Sequence, residues 1–152
     1  MKLFHRITLR AFSKEYEGDD TLEIKHLLEE MVPIDLEKEK LSVQRTTNYR
    51  HDGVTPIYIL ELALEKQRHI NVFLQQLFST LTKEQKQEIR DNMCVDEECL
   101  FYLRLERNAL RKGQFEITTS GDCVHIRILI AAYPAKQEKA ITIMDQFLVS
   151  QM

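Results

Sequence analysis

Hydrophobic and polar positions alternate most regularly in two stretches of the C-terminal half of the chain. From Leu100 to Glu106, Phe101, Leu103 and Leu105 fall on one side and Tyr102 and Arg104 on the other; from Val124 to Ile130, Val124, Ile126, Ile128 and Ile130 oppose His125 and Arg127. A period of two sends successive side chains to opposite faces of a strand, so both stretches predict strands of a sheet buried on one side only. Leu3 to Ser13 alternates in the same way, with Leu3, Ile7, Leu9 and Ala11 against Arg6, Thr8 and Arg10. Leu41 to Tyr49 and Pro56 to Glu65 read as a hairpin around Arg50, His51, Asp52 and Gly53, with Tyr58, Leu60, Leu62 and Leu64 on its buried face.

Between the strands the period changes to that of a helix. After Gly18-Asp19-Asp20, where an aspartate can cap, Ile24, Leu27, Leu28 and Met31 keep helical spacing until Pro33. Ile70, Phe73, Leu74, Leu77, Phe78 and Leu81 predict a second helix, and Thr82-Lys83-Glu84-Gln85 is a capping box that starts a third, mostly polar one running to about Asn92. Pro134 is expected to open a last helix that turns Ala140, Met144, Phe147 and Leu148 to the core. With no linker, repeat or composition break, residues 1–152 read as a single α+β domain, a mostly antiparallel sheet with helices packed on one face.

Composition agrees with a folded protein: 43% of residues are hydrophobic, 30% are charged, and Gly and Pro number only 4 and 3. The longest apolar run, Val124 to Tyr133, is broken by His125 and Arg127 and is too short to span a bilayer. The opening residues MKLFHRITLR lack the continuous apolar stretch of a signal peptide, so a cytoplasmic location is expected. The net charge of -3 is unevenly spread, since acids dominate from Glu15 to Glu39 and bases from Arg104 to Arg127.

Catalytic and metal chemistry find little support. Cys94, Cys99 and Cys123 are too few for a disulfide framework, and Cys94 and Cys99 lack a CxxC or HxxxH partner, so buried structural thiols are expected and no metal. The histidines at 5, 26, 51, 69 and 125 are scattered, with no cysteine or serine in a recognisable catalytic arrangement. Paired acids such as Asp19-Asp20, Glu29-Glu30 and Glu97-Glu98 are adjacent in sequence, so they point apart on a helix or sit in turns, and solvated charge and helix capping explain them better than acid-base catalysis. No Gly-rich phosphate loop exists, so neither an enzyme nor a cofactor is expected.

A binding surface is the better reading. If the strands pair, the face opposite the helices collects Arg6 and Arg10, Tyr102 and Arg104, and His125 and Arg127, the cations and aromatic platform that a sugar-phosphate chain with unstacked bases requires. Arg107, Arg111 and Lys112, with Gly113, form a second candidate, a basic turn able to offer donors to a phosphate. The bland alternatives are a solvated polar face and a solvated loop, because half-buried antiparallel sheets always show a polar side. A rival function is a protein-interaction module whose open face makes a homodimer or docks on a larger assembly, with Glu15 to Glu39 meeting a basic partner.

The order of elements, Leu100 to Leu105, the basic Arg107 to Gly113, and Gly121-Asp122-Cys123-Val124-His125-Ile126-Arg127-Ile128 together resemble an archaeal family of predicted RNA-binding exosome subunits. Where that family reads aspartate-lysine-glutamine followed by alanines, this chain has Glu106, Arg107, Asn108 and Ala109, which keeps charge but not identity. The resemblance implies the α+β fold of the large-subunit ribosomal protein that contacts 5S RNA. It also implies a non-catalytic RNA-binding accessory role, with RNA and exosome or other protein subunits as partners.

Overall fold

The alternating segments assemble into a five-stranded antiparallel sheet in a computed structural model, which describes residues 2–152. The strands are β1 (Phe4–Ser13), β2 (Gln44–Tyr49), β3 (Pro56–Leu64), β4 (Leu100–Glu106) and β5 (Cys123–Ile130), in the order β2-β3-β1-β5-β4. The first strand in the chain is therefore the middle of the sheet, and the strand of the hairpin furthest from it, β2, is an edge exposed on both sides.

Register puts apolar side chains on one face row by row. Ile7 pairs with Leu64 and Ile128, Leu9 with Leu62 and Ile126, and Phe101 and Leu103 with Ile128 and Ile126. Helices α1 (Thr21–Glu30), α2 (Gln67–Thr80), α3 (Lys83–Asp91) and, after the short α4 (Arg107–Arg111), α5 (Gln137–Ser150) complete the fold. The apolar face is covered by α1, α2, α3 and α5, where Ile24, Leu28, Ile70, Phe73, Leu77, Ala140 and Met144 are fully shielded within one continuous core. Phe147 is partly buried and meets Phe4 and Phe78 edge to face, with ring centroids 5.1 and 5.4 Å apart.

Local chemistry sets the helix starts. The Asp20 carboxylate accepts from the Leu22 and Glu23 amides at 3.1 and 3.2 Å, a cap of the kind that stabilises by about 1 kcal/mol. The Thr82 hydroxyl and Gln85 side chain form the expected reciprocal capping box. In α3 only Ile89 is buried, so this helix is held at its two ends and by the Arg90 to Asp145 ion pair with α5.

Four expectations are corrected. A bulge at His5 lets Phe4 pair with Ile130 while Arg6 pairs with Leu129, so Phe4 and not Leu3 begins the buried row. Residues Leu41, Ser42 and Val43 lie outside β2, which starts at Gln44. The last helix begins at Gln137, three residues beyond Pro134. The basic turn expected at Arg107 to Gly113 is mostly the helix α4, because the Glu106 carboxylate caps the amides of Asn108 and Ala109 at 3.0 and 2.8 Å.

The outer edge of β4 is covered by two short bridging segments. Val95 pairs with Phe101 at one end and Ile117 with Leu105 at the other. Blocking an edge in this way removes a template for unwanted pairing.

Candidate functional site

Opposite the helices, the cross-strand register lines up polar and basic residues. Arg10 faces His125, which faces Arg104; in the next row Thr8 faces Arg127, which faces Tyr102. Arg6 lies beyond the bulge, opposite Leu129, and is exposed. The structure thus brings Arg6, Arg10, Tyr102, Arg104, His125 and Arg127 to one face, in an arrangement that depends on pairing β1 with β5 across more than a hundred residues.

His125 sits at the middle of this group. Burial, and then the positive charges of Arg104, Arg10, Arg107 and Arg127, lower its pKa below the ordinary 6.5. The Phe12 ring packs against it edge to face at 5.7 Å. Cys123 Sγ lies 3.6 Å from its Nε2, a pairing that the sequence pattern does not predict. Cys123 is fully buried and its thiol is pushed up by burial, which disfavours the thiolate that nucleophilic catalysis would need.

The cations differ in how much of their charge is spent inside the protein. Arg10 is paired with Glu61 across the adjacent strand at 2.9 Å. Arg127 stands 5.9 Å from the Tyr102 ring centroid, and the Tyr102 hydroxyl donates to Asp96 at 2.7 Å. Burial raises the Asp96 carboxyl, but hydrogen bonds from Tyr102 and the Leu100 and Glu98 amides outweigh it and hold the pKa low. That same bond raises Tyr102. Arg104 is exposed and makes no carboxylate contact among the described residues, its Nη1 donating to the Thr119 carbonyl at 3.3 Å. The Nε atoms of Arg10 and Arg127 are shielded and lack a partner among the described residues.

The second candidate group is dispersed. Arg107 is 3% exposed: its Nη2 donates to the Phe12 carbonyl at 2.6 Å and its Nε to the Cys123 carbonyl at 3.2 Å. Nη1 lies 3.2 Å from Asp122 and 3.7 Å from Asp19. A side chain so enclosed joins β1, β5 and the loop before α1 and has little left to present to a ligand. Arg111 is tied to Glu23 at 2.8 Å and to Asn108 at 2.6 Å, whereas Lys112, at the end of α4, is exposed. Part of the acidic Glu15 to Glu39 region is therefore spent on the basic segment of the same chain, through Asp19 and Glu23.

Two arginines on the hairpin stand outside both groups that the sequence marks. Arg45 lies over the Tyr58 ring and Arg50 over the Tyr16 ring, each 4.6 Å from the centroid. Arg45, Thr47 and Tyr49 alternate along β2, a signal that is present but hidden by the absence of any apolar row.

Among the described residues, no helix is long and apolar enough to cross a membrane. Comparison with known proteins agrees with the architecture. A DUF54 protein from Methanothermobacter thermautotrophicus, Mth689, superposes with a TM-score of 0.73 at 23% identity, over 97% of this chain and 99% of the other. Protein AF2318 from Archaeglobus fulgidus, of the same DUF54 family, gives 0.77 at 22% identity, over 99% and 100%. RNA-binding protein PAB1135 of Pyrococcus abyssi is 25% identical over 146 residues, 95% of this chain and 93% of that protein. The model of a family described as RNA binding matches residues 6–130, a span that runs from the first strand to the last, and the chain belongs to that family.

Proposed function

We propose that this protein binds single-stranded RNA, without catalysis or cofactor, on its open sheet face through Arg6, Arg10, Tyr102, Arg104, His125 and Arg127, with Lys112 as an outlying contact. The observation that carries the reading is the cross-strand row in which Arg10, His125 and Arg104 stand side by side, with Arg127 and Tyr102 in the next row. Cations gathered over a low-dielectric sheet concentrate positive potential, which favours a polyanion independently of sequence. Family membership and the name of the Pyrococcus relative support the choice of RNA over other polyanions. We extend the reading to an accessory role on an RNA-processing assembly such as the archaeal exosome, supported by the resemblance of Leu100 to Ile128, and to a cytoplasmic location.

Arg107 is left out of the contact set because its guanidinium is enclosed, and Arg111 because it stands on α4 and not on the sheet face, in a surface ion pair with Glu23. The test is a salt titration of a labelled single-stranded RNA against the wild type and a variant carrying Arg6→Ala, Arg104→Ala and Arg127→Ala. Removing one phosphate contact should lower the slope of log affinity against log salt by about 0.7. Equal affinity and slope for both proteins, with the fold intact, overturn the reading in favour of a protein-interaction surface.

A further inference from the structure

The covered edge of β4 has one opening. Backbone groups of Leu100, Tyr102, Arg104 and Glu106 point away from β5, and most are taken: the Asp96 amide donates to the Leu100 carbonyl, the Tyr102 amide to Cys94, the Thr118 amide to Arg104, and the Glu106 amide to Glu116. The Tyr102 carbonyl and the Arg104 amide lie between the two bridges and have no partner among the described residues. A carbonyl and an amide left unpaired on a strand edge are available to hydrogen-bond a ligand.

Tyr102 and Arg104 are among the residues that line a groove of about 480 Å³. Ile89, Leu103 and Ile117 give it apolar walls, Cys94 stands at one side, and Arg104 and His125 connect it to the basic face. Its size and its few convergent polar groups are those of a small-molecule or base site. An added peptide strand does not fit, since the bridging segments occupy the edge on both sides and leave room for one residue's worth of pairing.

We propose that the groove receives one unstacked base of the bound RNA, and that it prefers cytosine or guanine. The inference rests on the RNA reading of the open face and adds a base-selective element to it. The free carbonyl and amide are separated by one residue on the same side of a strand, a span of roughly 4.6 Å from one strand rise plus one C–N bond. Cytosine carries a donor and an acceptor at the two ends of its Watson–Crick edge, and guanine carries the same pair reversed. Uracil has carbonyls at both ends with its N3–H between them, and adenine's N1 acceptor lies directly beside its amino group, so at this spacing each leaves one protein group unpaired. A flat ring would fill the apolar walls, while its phosphates meet Arg104 and Arg127. Such edge reading of a splayed base is a common means of RNA specificity.

Cys94 provides the test, since it is exposed whereas Cys99 and Cys123 are buried. Affinities are measured for decamers of uridine carrying one central cytidine, guanosine or adenosine, before and after alkylating Cys94 with N-ethylmaleimide. The cytidine and guanosine decamers should bind about tenfold more tightly than all-uridine, with adenosine no better than uridine. Alkylation should erase that preference and leave the salt-dependent all-uridine affinity in place. The cytidine decamer, but not all-uridine at equal saturation, should also slow the alkylation of Cys94. Equal binding of all decamers, or a preference that survives alkylation, overturns the groove assignment while leaving the open-face reading intact. Failure of every decamer to bind overturns both.

Discussion

Arg104 and His125 are direct partners across β4 and β5 on the solvent side of the sheet, so an exposed guanidinium and a half-buried imidazole share one spot on the surface. The pairing couples the charge of the open face to the protonation of a single side chain.

Bound phosphate should therefore raise the pKa of His125. Burial and the surrounding arginines lower it in the free protein, and an anion over Arg104, Arg10 and Arg127 offsets the second of these. An NMR titration of the His125 ring should show an upward shift on adding RNA. An unchanged value at saturation would separate the histidine from the binding site.

The same lowered pKa has a consequence for folding. Below 6.5 the unfolded chain takes up a proton on His125 before the folded one does, so stability present above that pH is lost as the pH falls through the folded pKa. His125→Gln should flatten this part of the profile. Urea midpoints of wild type and variant at about pH 7.5 and about pH 5.5 measure the difference.

Arg107 should behave as a structural residue. Arg107→Ala leaves the part-buried Phe12 carbonyl and the buried Cys123 carbonyl without this donor and is expected to cost about 2–4 kcal/mol, whereas Arg104→Ala should stay within about 0.5 kcal/mol. Denaturant unfolding of the two variants distinguishes them, and similar stability would mean that Arg107 is dispensable to the fold.

Phe73 and Phe101 are both almost fully enclosed, one on α2 and one on β4. Truncation of either to alanine should cost about 3–5 kcal/mol through reduced burial and a cavity, a large share of the stability of a domain this size. We further expect residues 1–152 to melt as one unit, so both variants should lower a single transition and not split it. Two resolved transitions in the wild type would show that the helices and sheet fold separately.

Asp52 offers an acid-sensitive marker at the hairpin tip. Hydrogen bonds from the Thr55 hydroxyl and amide and the Val54 amide lower its pKa to about 2. Its contribution is present above the ordinary 3.8 and lost as the pH falls towards the folded value. Protection of the Val54 and Thr55 amides, measured against the intrinsic exchange rate at each pH, should fall as Asp52 is protonated, and Asp52→Asn should remove that dependence.

Local periodicity was enough to mark the longer elements and the two faces of the sheet, but not the helix α4 or the starts of β2 and α5. Strict alternation at Phe101, Leu103, Leu105 and at Val124 to Ile130 leaves one burial pattern, and the helical spacing of Ile70, Phe73, Leu74 and Leu77 leaves one apolar stripe. It also marked Arg104, His125 and Arg127 as residues of the polar face, because a strand must send them away from its apolar neighbours. Which of the basic residues stand together is a matter of long-range packing. The placement of β1 between β3 and β5, the bulge at His5 and the register that sets Arg10 beside His125 depend on contacts between distant segments, to which local periodicity is blind. Arg107 shows the difference most sharply: its neighbours in sequence are the polar Glu106 and Asn108, yet the chain folds it against the carbonyls of Phe12 and Cys123, since an arginine can be buried once enough acceptors converge on its guanidinium.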